Sequence, residues 1–233
     1  MNKIVKVKSI SIWIFIIPFV AINACLILIT NFHGLFPNRA DIIWHTIPYI
    51  DGGASISRTA RVFPTYLIFK PAMFLTSYLL IKYWFYNKEI INYFHEGHKY
   101  TKYIIFFGVG SAILLILHSI FLGIKIDNDI YKLFRRVVMV FFIIFEIVAQ
   151  TYFVLIVYSI KEKMNEFINK KIFLMKMILV STLIVVAIIS VPILVMEGNK
   201  QIKHALEWDY FVGVISFYLL TFFMWKKPQP HTV

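Results

Sequence analysis

The chain has 233 residues, 60% of them hydrophobic and 18% aromatic, and carries a formal net charge of +12. Soluble domains are about 45–50% apolar, so a mean hydropathy of +0.75 excludes an ordinary soluble domain. The cations lie in short links and at the ends of apolar runs, not on one face, which argues against a nucleic-acid partner.

Six apolar runs are long enough to cross a bilayer as helices, which takes about 20 residues each. They are expected at about 9–31, 65–85, 103–124, 137–160, 172–195 and 204–225. Each is continuously apolar where a barrel strand would alternate, so helices are predicted. The expected fold class is an all-α membrane protein: a six-transmembrane-helix bundle forming one membrane domain over residues 1–233. Short links between the runs make sequential helices antiparallel neighbours.

The first run carries the only cysteine, Cys25, which leaves no internal disulfide to form. "AINAC" suggests a lipoprotein cleavage site, but the run continues past Cys25 to Ile29 and outlasts a signal-peptide core, so a retained helix is expected. The longest polar link follows, residues 33–64, expected to be an ordered outer cap. Within "YIDGGASISRTA" the pair Asp51-Gly52 is a turn signal, and Pro64 is placed to open the second helix. Farther along, "FFGVGSA" in the third run allows close helix packing through small residues. "KIDNDIYKLFRR" and "MEGNKQIK" read as outer turns, "KEKMNEFINKK" as a basic inner loop, and the tail "KKPQPHTV" as too short to fold.

Loop cations favour the N-terminal side, from Lys3, Lys6 and Lys8 through Lys161, Lys170 and Lys171 to Lys226 and Lys227. The opposite side, from Arg39, Arg58 and Arg61 through Lys125 to Lys203, holds fewer. The positive-inside rule then places both termini in the cytoplasm. Lys82 and Lys176, near the ends of their runs, lean the same way, while Lys70 leans outward. The inner lysines suit anionic phospholipid headgroups.

Glu146 lies deep in the fourth run, about 14 Å from its outer end at 1.5 Å per residue. A charge there costs at least about 2.5–3.5 kcal/mol, so a partner or a proton is expected. Gln150 is one turn away on the same face, and His118 sits nearer the outer end of the third run. Two readings stand: a proton or headgroup site between the third and fourth helices, or a hydrogen-bonded clamp that packs them. His204 and Glu207, three apart, share a face of the last helix. They would need further ligands, from Asp51, His33 or His45, to hold a metal. The favoured reading has Glu207 pairing with Arg58 or Arg61, fixing the polar link as a lid. No metal site, cofactor or catalytic residue is assigned, and Ser55 and Ser57 lack the Gly-x-Ser-x-Gly setting of a nucleophile.

"ISRTARVFPTYLIF" resembles the I-S-D-T-G-x-x-x-P-E-x-x-x-F pattern that opens the second span in the FRAG/DRAM/SFK family of six-helix membrane proteins. Ile56, Ser57, Thr59, Pro64 and Phe69 match, while Arg58, Ala60 and Thr65 stand where that pattern has an acid, a glycine and a glutamate. "LEWDYFVGVISFYLLTF", opening with Glu207 and Trp208, is similar to the last span of the damage-regulated autophagy modulators. The resemblance implies membrane-lipid biology in the plasma membrane or an endolysosomal membrane, and no particular reaction.

The expected function is therefore that of a multi-pass membrane regulator or scaffold. It would act on membrane lipids, anionic phospholipids among them, and on an unidentified membrane-protein partner, without catalysis. Its headgroup-binding candidates are Ser57, Arg58, Thr59, Arg61, His204 and Glu207, since a guanidinium binds phosphate bidentately. The alternatives are a lipid-remodelling enzyme using His204 or Glu207 as a general base, and a channel or transporter subunit lined by Glu146.

Overall fold

The computed structural model describes residues 2–124, 126, 128–196 and 198–226. Lys125, Lys227 and the rest of the C-terminal tail, which entered the charge and tail readings above, lie outside the described residues. Among those described the chain is all-helical, with no named strand.

The helices are α1 (Asn2–Asn31), α2 (Pro48–Asp51), α3 (Ile56–Ala60), α4 (Tyr66–Phe94), α5 (Thr101–Phe121), α6 (Asp129–Ser159), α7 (Lys170–Val195) and α8 (Lys200–Met224). The long ones coincide with the six predicted runs but extend past them into polar sequence, because a helix continues while its backbone bonds are satisfied. Asn128 starts α6 by accepting from the Ile130 N–H at 2.8 Å, and Asn169 starts α7 by accepting from Lys171 at 3.1 Å.

Five helices, α1, α5, α6, α7 and α8, are long and apolar enough to cross a membrane. Their outward faces carry exposed apolar side chains such as Ile113, Ile144, Leu174 and Ile188. α4 is as long but less apolar, since Lys70, Lys82 and several Tyr, Ser and Thr residues dilute its run.

Packing follows chain order around a ring. α4 lies between α1 and α5, α6 packs on α5, α7 touches α6 and α8, and α8 returns to α1. The shared core includes Trp84, Tyr83, Phe153, Phe217, Tyr218 and Trp208. Small residues permit the closest approaches, as "FFGVGSA" suggested: a Cβ on Gly108 would stand 2.5 Å from the Trp84 ring, so α4 and α5 meet with a ring against bare backbone.

The 33–64 link folds over one end of this ring. Its own small core joins Phe36, Ile42, Ile43 and Ala54 to Ile29 of α1. At the other end the α6–α7 link pairs with the end of α8, Lys226 N–H donating to Phe167 O at 2.9 Å and Asn169 N–H to Met224 O at 2.8 Å. Lys3 and Glu89 join α1 to α4 there at 2.5 Å.

Candidate functional site

The bundle interior holds a polar network in an otherwise aromatic core. Glu146 is 1% exposed, and its carboxyl receives three side chains from three helices. The Ser111 hydroxyl of α5 lies 2.6 Å from Oε2, the Gln150 amide donates to Oε1 at 3.0 Å, and the Tyr218 hydroxyl of α8 donates to Oε1. Gln150 also donates to the Val214 carbonyl of α8 at 3.2 Å. The same-face relation of Glu146 and Gln150 holds, and the partners join α5, α6 and α8. His118 is not among them.

Lys176 was placed by sequence near the cytoplasmic end of its run and counted with the inner cations. It is instead fully buried. Its Nζ donates to the Thr221 hydroxyl at 2.6 Å and lies 3.6 Å from the Phe217 ring centre and 4.6 Å from that of Phe153. Thr221 in turn meets the Tyr83 hydroxyl at 3.1 Å. The sequence signal was a lone lysine about one turn inside an apolar run. Its partners lie on other helices, so spacing alone could not reveal them.

The cap is fastened to α8 by three contacts. His204 Nδ1 donates to the Gly52 carbonyl at 2.9 Å, Trp208 Nε1 donates to the Ala54 carbonyl at 2.8 Å, and the Tyr49 ring stands edge-on to Trp208 with centres 4.9 Å apart. Gly52 is required twice over. It is left-handed at φ 58, and a Cβ there would fall 1.7 Å from the Gln201 carbonyl oxygen. The Glu207 carboxyl lies against the backbone N–H groups of Ser57 and Ile56 at the start of α3. The lid is therefore held, but by backbone groups. The expected ion pair of Glu207 with Arg58 or Arg61 does not form; ion pairs among the described residues are Lys3–Glu89 and Lys132–Asp129.

The six headgroup candidates thus divide. Ser57 meets Ser55 at 3.2 Å, buried Thr59 bonds back to the Ile56 carbonyl at 2.7 Å, and His204 and Glu207 hold the cap. Arg58 and Arg61 form no ion pair among the described residues. Partial burial, then the fields of Arg135 and Arg58, push the Arg61 guanidinium below its ordinary value, with Asp41 opposing. His118 lies beside Arg135, buried, with its Nδ1 unpartnered. His204 and Glu207 do not converge with other ligands, and among the described residues no group of three His, Cys, Asp or Glu is placed to hold a metal ion. At the opposite end a shallow depression of about 660 Å³ is lined by Asn165, Glu166, Asn169, Lys170, Lys171 and Lys226.

No protein-family model, curated protein or solved structure matches the chain.

Proposed function

We propose that this chain crosses the membrane six times and acts as a lipid-interacting regulator or scaffold, without catalysis of its own. In this reading α4 is the sixth crossing, the termini are cytoplasmic and the cap faces the opposite side. One observation carries it. The groups a reaction or a conduction path would need, Glu146, Gln150, His204 and Glu207, are all engaged in contacts between helices or between cap and helix. Arg58 and Arg61, in contrast, form no ion pair among the described residues and face neighbouring cations.

The similarity of "ISRTARVFPTYLIF" to the FRAG/DRAM/SFK pattern supports the same reading and suggests a plasma or endolysosomal membrane. The lysines lining the depression at the other end, Lys170, Lys171 and Lys226, suit anionic lipid on the cytoplasmic side.

The test is lipid mass spectrometry on protein excised with its native membrane, wild type beside an Arg58→Gln/Arg61→Gln variant. One lipid class bound near stoichiometrically, and lost in the variant, is the expected result. Only the bulk lipid mixture in both samples would remove the lipid reading and leave a protein partner as the object of search.

A further inference from the structure

Three arginines and a histidine, from three parts of the chain, come together where the end of α3 approaches the α5–α6 link. Arg58 lies in α3 and Arg61 just after it, His118 is in the last turn of α5, and Arg135 is in the second turn of α6. Arg61 feels the fields of both Arg58 and Arg135, and His118 that of Arg135. No carboxylate among the described residues pairs with any of them; Asp41 reaches Arg61 by its field without forming an ion pair.

Like charges do not gather without cause. The backbone brings their positions together. Gly123, left-handed at φ 86, brings the α5–α6 link so close that a Cβ there would be 2.7 Å from the Arg61 carbonyl oxygen. Tyr131 ties the start of α6 to the end of α5 through the Phe121 carbonyl at 2.8 Å, and Arg135 lies over its ring at 5.9 Å. Two nitrogen atoms in the group are also buried with no partner: His118 Nδ1, on a side chain 7% exposed, and Arg135 Nε, an N–H donor. A buried polar atom left unmatched costs free energy. A shared anion would satisfy both atoms and offset the repulsion.

We infer that Arg58, Arg61, Arg135 and His118 form a binding site for a phosphate group at the cap end of the bundle. A carboxylate offers two oxygens in one plane and fits a single guanidinium fork. A tetrahedral phosphate offers oxygens in several directions and serves forks arriving from α3 and α6 together. A phospholipid headgroup and free phosphate share this chemistry. The place favours the headgroup, because α5 and α6 are both apolar enough to cross a membrane, and His118 and Arg135 lie within two turns of their ends. That source rests on the lipid-interacting reading above; the site itself does not.

The full chain in phosphatidylcholine nanodiscs is titrated with inorganic phosphate, against chloride at equal ionic strength. In a second arm it is placed in discs containing phosphatidate. The readouts are the unfolding temperature followed by tryptophan fluorescence, and bound lipid by native mass spectrometry. Binding to the folded state raises the unfolding temperature. Arg135→Gln and Arg58→Gln/Arg61→Gln should each weaken binding at least about tenfold, the loss expected for charge-assisted hydrogen bonds. Arg39→Gln, an exposed arginine elsewhere in the cap, should leave it unchanged. Arg135→Lys keeps the charge without the fork and should fall between; it also serves if Arg135→Gln proves unstable before any probe is added. Stabilisation by phosphatidate discs alone identifies a lipid headgroup. Stabilisation by inorganic phosphate with no difference between discs keeps the site and removes its lipid source. No stabilisation in either arm, or equal loss in Arg39→Gln, overturns the site.

Discussion

The Tyr218 hydroxyl donates to the Glu146 carboxyl inside the bundle, joining α8 to α6 where neither side chain reaches water. Tyr218→Phe keeps the ring and removes one of the three donors to that carboxyl. A buried group left short of a partner costs about 1–3 kcal/mol, so the variant should unfold at a lower temperature. Because both residues belong to one network, Tyr218→Phe and Glu146→Gln should not add in a double-mutant cycle. Strict additivity would mean that the two groups do not interact.

Gly108→Ala should destabilise the contact between α4 and α5 by about 1–3 kcal/mol, the usual range for overpacking. The added methyl would meet the Trp84 ring at 2.5 Å, and that ring is fully buried with no free space to enter. Combining it with Trp84→Leu, which shortens the opposing side chain, should cost less than the two changes separately. Thermal unfolding in nanodiscs reads both variants.

The long helices and the Gly108 packing were legible in the sequence, because each depends on a local run or a local small residue. The Glu146–Gln150 pair was legible for the same reason, being one turn apart. What was not legible depends on residues distant in the chain. Lys176 is drawn inward by Thr221, Phe153 and Phe217, so its place near a helix end misled. Glu207 was expected to pair with a guanidinium, but it meets the backbone N–H groups that open α3. Arg135 was counted only as a loop cation, since nothing local shows that the cap brings Arg58 and Arg61 toward it.

Trp208→Phe should loosen the cap while leaving the bundle folded. It preserves most of the ring but loses the 2.8 Å bond to the Ala54 carbonyl, worth about 1 kcal/mol. Protease cleavage between residues 47 and 62 should become faster, with little change in global unfolding. Gly52→Ala should act in the same direction and more strongly, because it meets the Gln201 carbonyl as well as an unfavourable φ.

Asp51 should make cap stability depend on acid pH. Its carboxyl accepts from the Thr46 hydroxyl at 2.6 Å and from the Gly53 and Ile47 N–H groups at 2.8 and 2.9 Å. These bonds, the Thr46 hydroxyl foremost, hold it below the usual value of 3.8. A depressed carboxyl contributes stability that is complete above its unfolded value and is lost as pH falls through its folded one. Wild type should therefore resist cap cleavage better than Asp51→Asn near neutrality, and that advantage should vanish as pH falls below 3.8. An advantage that persists at lower pH would mean these bonds do not favour the ionised form.

The six-crossing topology turns on α4, the least apolar of the long helices, and labelling its two sides tests it most directly. Cysteines introduced at Ile50 in the cap and at Tyr93 at the far end of α4 occupy exposed positions, 80% and 77% exposed, while native Cys25 is fully buried. A membrane-impermeant maleimide is applied to sealed vesicles of known orientation. The expected result is that Ile50→Cys reacts from the non-cytoplasmic side and Tyr93→Cys reacts only after permeabilisation. Reaction of both from one side would show that α4 does not cross, and would contradict the six-crossing arrangement.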